Sequence, residues 1–378
     1  MIRSALALTA LTISTGFAQA GGIERRGDPS QILFEEGKRY LEFGVTSVQP
    51  DVSGVALPGV AGGPTGDIQN TFKNYAIGYK NQIDDRLAIA LVIDEPVGAD
   101  VDYRTASAFA GGAFFGGSSA SVDSIRITGM AKYNATERFS VYGGLKYVGL
   151  SGDLMVLSPG TGGLPPASVP PEPGTLGRYN LSVDTEYDLG YLLGAAYEVP
   201  EIALRVALTY ESKTKHDFRD NNGAPFEVEL PQSVTLHAQS GIAADTLLFG
   251  SVRWREWTKF EVAPEDFFSF ATGAPVNTPI AFNSSDVYTY RLGLGRSFND
   301  EWSGAFVLGY EEQTGDQKGN LDGTDGFISY TVALTHAVEA WEVTGALSYV
   351  DFGNADTSVA AFKGNDAVAF GLKVGLRF

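Results

Sequence analysis

The chain has 378 residues, no cysteine, 46 glycines, 23 phenylalanines and 17 tyrosines, and a formal net charge of -18. Without cysteine it is not a disulfide-stapled exported domain, and its acidity argues against nucleic acid as a partner. After the opening segment no stretch approaches the roughly twenty apolar residues that a helical membrane span needs.

The opening segment, "MIRSALALTALTISTGFAQA", carries one basic residue (Arg3), an apolar run from Ala5 to Phe17, and the small-x-small ending Ala18-Gln19-Ala20. It reads as an export signal over residues 1–20, with Gly21 as the mature start, and it is too diluted by Thr and Ser for an anchor. Residues 21–37 then hold one helical turn around Ser30 to Glu36, and residues 38–378 are strand and turn throughout.

Fourteen segments show the period-two alternation of β-strands. The first seven run Lys38 to Val48, Asn70 to Asn81, Leu87 to Tyr103 with an interruption, Val122 to Asn134, Phe139 to Leu150, Val183 to Tyr197 and Ile202 to Asp217. The second seven run Val228 to Ser240, Thr246 to Phe260, Asp286 to Phe298, Trp302 to Glu312, Gly326 to Thr335, Trp341 to Phe352 and Asp366 to Phe378.

The connections alternate in length. Short turns such as "NQIDDR", "NATER", "EVPE" and "NDE" sit between long connections at about 49–69, 104–121, 151–182, 218–227, 261–285, 313–325 and 353–365. Short turns at one end and long loops at the other are the signature of an outer-membrane barrel, and an even strand count puts both termini on the periplasmic side. A large soluble sandwich or solenoid also alternates, but its strands are usually shorter and its loops lack this rhythm.

Facing follows from the same period. Trp341, Val343, Leu347 and Tyr349 oppose Glu342, Thr344 and Ser348, and Ile202, Leu204, Val206, Leu208 and Tyr210 oppose Arg205, Thr209 and Glu211. A lipid-facing band around a polar lumen needs this sorting. Tyr147, Tyr197, Tyr210, Trp302, Tyr310, Trp341 and Tyr349, near strand ends, fit interfacial girdles. The last strand alternates from Phe370 to Phe378, which places Phe378 in the periplasmic belt and makes this strand the address for the barrel-assembly machinery.

The long loops are apolar where an open porin would be polar. One carries Phe109, Phe114 and Phe115, the next Leu154, Met155, Val156 and Leu157, a third Phe267, Phe268 and Phe270. Apolar loops on an exported chain call for lipid or an apolar ligand, although such residues also pack loops over a barrel mouth. Pro96 and Gly98 interrupt the third strand, either as a kink that opens the wall sideways or as the start of a long loop at Asp94.

Several segments, taken in order, carry a family resemblance. They are "LRVALTYESKTKHDFRD", "LPQSVTLHAQSGIAADTLLFGSVRWREWTKF" and "DVYTYRLGLGRSFNDEWSGAFVLGYEE". With Pro231, Trp257, Phe260, Tyr290, Arg291, Gly293 and Trp302 in place, the chain resembles the outer-membrane long-chain fatty acid transporters of the FadL family. The resemblance implies a monomeric, all-β, 14-stranded antiparallel transmembrane barrel in the bacterial outer membrane, closed by an amino-terminal hatch, here residues 21–37. Its loops would catch a long-chain fatty acid or another hydrophobic molecule, and the kink at Pro96 and Gly98 would release it laterally into outer-membrane lipid. The hatch departs from the pattern: it is short, and Asp28, Pro29 and Ser30 stand where the family has Asn-Pro-Ala.

For an anionic head group, period-two facing nominates Lys73, Arg126, Arg205, Arg291, Lys373 and Arg377 as inward cations, most of them paired with wall acids such as Glu211 and Glu342. A barrel lipase would need Ser, His and an orienting group on neighbouring positions, and His237 and Ser240 face opposite ways in an unbroken strand. No enzyme, cofactor or metal site is expected. The expected function is passive uptake of long-chain fatty acids or similar hydrophobic compounds. The alternatives are a general porin-like channel and a transporter of aromatic hydrocarbons.

Overall fold

In the computed structural model the alternating segments become fourteen antiparallel strands that close into a barrel. The structure describes residues 23–58, 63–103, 118–159, 176–267, 279–319, 321–358 and 360–378, without the side chains of 157–159 and 176–178. The first half of the wall is β1 (Arg39–Asp51), β2 (Phe72–Gln82), β3 (Leu87–Asp94, resuming as Ala99–Asp102), β4 (Ser119–Asn134), β5 (Phe139–Pro159), β6 (Leu176–Val199) and β7 (Leu204–Glu211). The second half is β8 (Ser233–Ala243), β9 (Thr246–Arg255), β10 (Val287–Ser297), β11 (Trp302–Glu311), β12 (Phe327–Val338), β13 (Trp341–Phe352) and β14 (Asp366–Arg377). β14 closes on β1 in an unbroken register from Tyr40 opposite Arg377 to Asp51 opposite Asp366. Phe378 extends the seam, exchanging backbone hydrogen bonds with Arg39 at 3.0 Å each way.

Burial alternates along much of the wall as the sequence period requires, and is lost in the outer part of β6, where Asp184 to Tyr187 are all exposed, and at the turn end of β8. In β13, Trp341, Val343, Leu347 and Tyr349 are exposed while Glu342, Thr344 and Ser348 are buried. The outward residues form an apolar band, with Tyr133, Phe139, Tyr197, Phe298, Trp302, Trp341 and Phe378 exposed near the short turns and Tyr288, Tyr310, Tyr330 and Tyr349 toward the other end. Aromatic rings at both rims of an apolar band are what two membrane interfaces select.

Several wall strands differ from the sequence expectation, among them β9, which ends at Arg255 and not Phe260. β5 and β6 run well past Leu150 and Val183, to Pro159 and from Leu176. β7 stops at Glu211 and β8 begins at Ser233, and the residues between form a separate hairpin, Thr214–Arg219 with Pro225–Leu230. Period two cannot tell a wall strand from a hairpin strand. The break comes from Ser212, whose amide donates to the Tyr191 carbonyl and whose hydroxyl accepts from the Tyr191 amide, both at 2.9 Å, and from Pro231, which has no amide for the ladder. The helical turn expected at Ser30 is a 3-10 helix, Pro29–Phe34.

β3 is a broken strand and not the start of a loop at Asp94. Its ladder with β4 runs to Asp94 opposite Arg126 and resumes at Ala99 opposite Val122, so Glu95 to Gly98 bulge over a shorter stretch of β4. On its other side the ladder with β2 ends at Ala76 opposite Asp94, whereas β2 stays paired to β1 as far as Phe72. Phe72 to Tyr75 therefore have no ladder partner on β3, although the Tyr75 amide donates to the Glu95 carboxylate. Backbone pairing resumes just before β2, where Gln69 bridges to Val101, the Asn70 amide donates to the Asp100 carbonyl at 3.1 Å and the Asp102 amide donates to the Ile68 carbonyl at 2.7 Å. The wall has a slot between β2 and the β3 bulge.

Candidate functional site

The amino-terminal segment fills that slot from inside. The amides of Arg25 and Arg26 donate to the Pro96 carbonyl at 2.9 and 3.2 Å, and the Gly98 amide donates to the Ile23 carbonyl at 2.9 Å. The Ser124 hydroxyl takes the Val97 amide at 3.1 Å, so the bulge keeps its hydrogen bonds without β2. The Arg25 guanidinium lies 4.5 Å over the Phe72 ring and against Gly98, where an added Cβ would collide with it. Arg25 is 7% exposed and bridges the two edges of the slot.

Further along, Asp28 caps the 3-10 helix and anchors it to the wall. Its carboxylate accepts from the Ser30 amide at 2.8 Å, the Ser30 hydroxyl at 2.9 Å and the Thr209 hydroxyl on β7 at 2.7 Å, with His237 Nε2 on β8 3.3 Å away. Burial alone would raise the Asp28 pKa, yet His237, the Ser30 amide and Thr209 hold it below the usual carboxylate range. The departure from Asn at this position thus has a local partner in His237. Phe34, at the end of the helix, sits between the cations of Lys132 (4.3 Å) and Arg205 (4.6 Å) and edge-on to Tyr142.

Of the six nominated cations, five face the lumen. Arg126 is gripped by Asp94 at 2.7 Å and Glu211 at 3.0 Å, and Arg377 pairs with Glu342 at 2.6 Å. Lys373 lies 3.6 Å from Glu342 and 3.9 Å from Glu35, and Arg205 is covered by Phe34. Arg291 lines a small space of about 40 Å³ beneath Arg26 and Asp28. Lys73 is the exception: it is exposed, on the outer face with Tyr75 and Ile77. The reason is register, since Phe72 and Asn74 are the buried residues that turn toward Arg25 and the lumen.

The sequence reading missed several luminal cations on β9 and in the amino-terminal segment. Arg253 and Arg255 hold Glu24 at 3.0 and 2.6 Å, and Glu211 is shared by Arg126, Arg253 (3.3 Å) and Lys146 (3.7 Å). Their signal was present as the alternation of "RWR" in β9 and the adjacent arginines of "GGIERRG". Adjacent charges in a segment enclosed by a barrel must each find a partner or a ring.

Above the slot lies an apolar cavity of about 130 Å³. It is lined by Ile23, by Val101 of β3, by Leu150 and Leu154 of β5, by Leu181 of β6, and by Phe218, Phe226 and Val228 of the separate hairpin, with Phe260 and Ile280 completing it. The described lining includes no Lys or Arg and has two carboxylates, Asp153 and Asp322.

Among the nominated apolar residues, Leu154 lines this cavity, Val156 and Phe267 are buried beside it in the same apolar cluster, and Met155 is partly exposed. Phe267 packs edge-on to Tyr179 with ring centres 5.1 Å apart. Phe109, Phe114, Phe115, Phe268, Phe270 and the Leu157 side chain lie outside the described residues, as does the expected signal segment. Pro96 and Gly98 are in the bulge, and Asp28, Pro29 and Ser30 are inside the barrel.

The model of the family described as outer membrane protein transport protein (OMPP1/FadL/TodX) matches residues 33–318. Among solved structures, a Pseudomonas aeruginosa FadL homologue superposes over 93% of this chain and 93% of its own, with TM-score 0.72 and 15% identity. The Pseudomonas putida toluene transporter TodX covers 97% of both chains at TM-score 0.65 and 13% identity. The Ralstonia pickettii toluene transporter TbuX covers 93% of this chain and 92% of its own at TM-score 0.63 and 15% identity. At such identities these structures show the fold, and no curated protein matches the sequence. With the closed barrel, its lipid-facing band and the family match over most of its length, the chain belongs to the OMPP1/FadL/TodX family of bacterial outer-membrane transport proteins.

Proposed function

We propose that this protein carries small, neutral hydrophobic molecules across the outer membrane, holding them in the apolar cavity and releasing them sideways through the slot between β2 and β3. The observation that carries this reading is the cavity's size and lining. A buried apolar cavity of about 150 Å³ is enough to take up benzene, whereas sites for larger ligands run from roughly 300 Å³ upward. At about 130 Å³, with no Lys or Arg in its described lining, this cavity suits a single ring better than a long acyl chain with a carboxylate head.

Three of the five luminal cations nominated from the sequence are not open to a head group. Arg126, Lys373 and Arg377 are already paired with Glu211, Glu342 or Glu35, so an incoming carboxylate would have to displace a buried partner. The cavity borders Ile23 and the outer part of β3, so a molecule in it is next to the slot. From there it would enter lipid without crossing water, moving down its gradient.

The test is uptake of labelled toluene and labelled oleate by intact cells lacking their own transporter, with and without this protein. Toluene entry that depends on the protein, with little oleate entry, is the expected result, and the reverse would replace the cargo. The porin alternative predicts a steady conductance in planar bilayers. A barrel whose lumen is pinned by residues 23–35 should be nearly silent there.

A further inference from the structure

The apolar cavity is not uniformly apolar. Gln69 lines it and is 7% exposed, and its Oε1 has no hydrogen-bond partner. Its backbone is fixed, because its amide donates to Asp67 at 3.1 Å and the residue bridges to Val101 of β3. Asp322 lines the same cavity. One of its oxygens accepts from the Thr324 amide at 3.2 Å and hydroxyl at 3.4 Å, and the other makes no hydrogen bond among the described residues. Lys318, in the same loop, is engaged by Asp325 at 2.8 Å.

Burial pushes the Asp322 carboxyl above its ordinary range, with Lys318 and the Thr324 donors opposing the shift. A buried acceptor without a donor is costly, and a site built that way rewards a ligand that brings the donor and penalises one that does not. A purely hydrocarbon cargo would leave the buried Gln69 acceptor unmet, while Asp322, which is partly exposed, offers a second acceptor at the cavity's edge. An anionic cargo would face Asp322 and Asp153.

We infer that the cavity prefers neutral hydrophobic molecules bearing one hydroxyl, that is, phenols and ring alcohols, with Gln69 and Asp322 as the groups that read the hydroxyl. This rests on the reading of the cavity as the binding site for a small neutral cargo, and it narrows that cargo's chemistry.

The experiment is isothermal titration of the whole protein in lipid nanodiscs with p-cresol and p-xylene, molecules of nearly one shape that differ by a hydroxyl for a methyl, with empty nanodiscs subtracted. The expected result is about tenfold tighter binding of p-cresol, the value of one well-made hydrogen bond. Gln69→Leu should level the two ligands while leaving p-xylene affinity in place, which also shows that the variant is folded, and Asp322→Asn should narrow the gap. Equal binding of both ligands to the unaltered protein would overturn the inference and leave the small-cargo reading standing. A p-cresol preference untouched by either variant would overturn the assignment to these residues. If neither ring compound binds and oleate does, both the inference and the reading beneath it fail.

Discussion

Replacing Arg25 with alanine should open the slot. The substitution keeps the backbone hydrogen bond from residue 25 to Pro96, so the segment stays in register, and removes the guanidinium that spans Phe72 and Gly98 and faces the carboxylates of Glu95, Asp123 and Asp100. A cation over an aromatic face in a desolvated site is worth about 2 kcal/mol. Loss of that amount shifts a closed-to-open equilibrium by about thirtyfold. If opening limits release, the initial rate of labelled toluene entry into proteoliposomes should rise toward that factor, and Arg25→Lys, which keeps the charge without the planar stack, should fall between. Gly98→Ala should act in the same direction, because its Cβ takes the guanidinium's place, and should add nothing in the Arg25→Ala background. An unchanged entry rate in a folded Arg25→Ala protein, or additive effects of the two changes, would refute the idea that this side chain is the latch.

Two further predictions concern stability. Glu211→Gln leaves Arg126, Arg253 and Lys146 without their shared carboxylate, and removal of one buried partner costs about 3–5 kcal/mol, so the heat-modified band of the barrel should appear at a lower temperature. His216, in the hairpin over the cavity, is buried beside the Glu186 carbonyl at 3.0 Å, and burial lowers its pKa from 6.5 despite that contact. The neutral form is the one that docks, so hairpin docking should be at full strength above pH 6.5 and weaken as pH falls below it, read as lower amide protection factors over residues 214–230 after correction for the intrinsic exchange rate at each pH. His216→Gln should remove that pH dependence.

The wall was legible from the chain because its solvent changes on every residue: lipid on one side and lumen on the other impose period two, and β13, Trp341–Phe352, has the limits its alternation implied. The interruption of β3 was legible as well, since Pro96 cannot serve a ladder. What the slot contains was not. Nothing local in "GGIERRG" says that Arg25 will meet Phe72 and Gly98, because that contact depends on a barrel closing around the segment. Lys73 was misplaced for a related reason. Facing in β2 is set by the inward docking of Phe72 and Asn74, and a strand with apolar residues on both faces leaves its parity open from the sequence. The cavity was the least visible part, because Phe218, Phe226 and Val228 alternate as wall residues would and reach it only through the break at Ser212 and Pro231.

The central claim is that cargo leaves through the slot that residues 23–26 close, and a reversible tether across that slot tests it most directly. Glu24 and Val97 form an antiparallel bridge between the segment and the bulge, and opposed residues in such a pair lie at about 4.5–5.5 Å between Cα atoms, within the range a disulfide spans. The native chain has no cysteine to interfere. Toluene entry through the Glu24→Cys, Val97→Cys protein should collapse on oxidation and return on reduction. Entry that is the same in both states would mean the cargo takes another path, and the lateral account would be wrong.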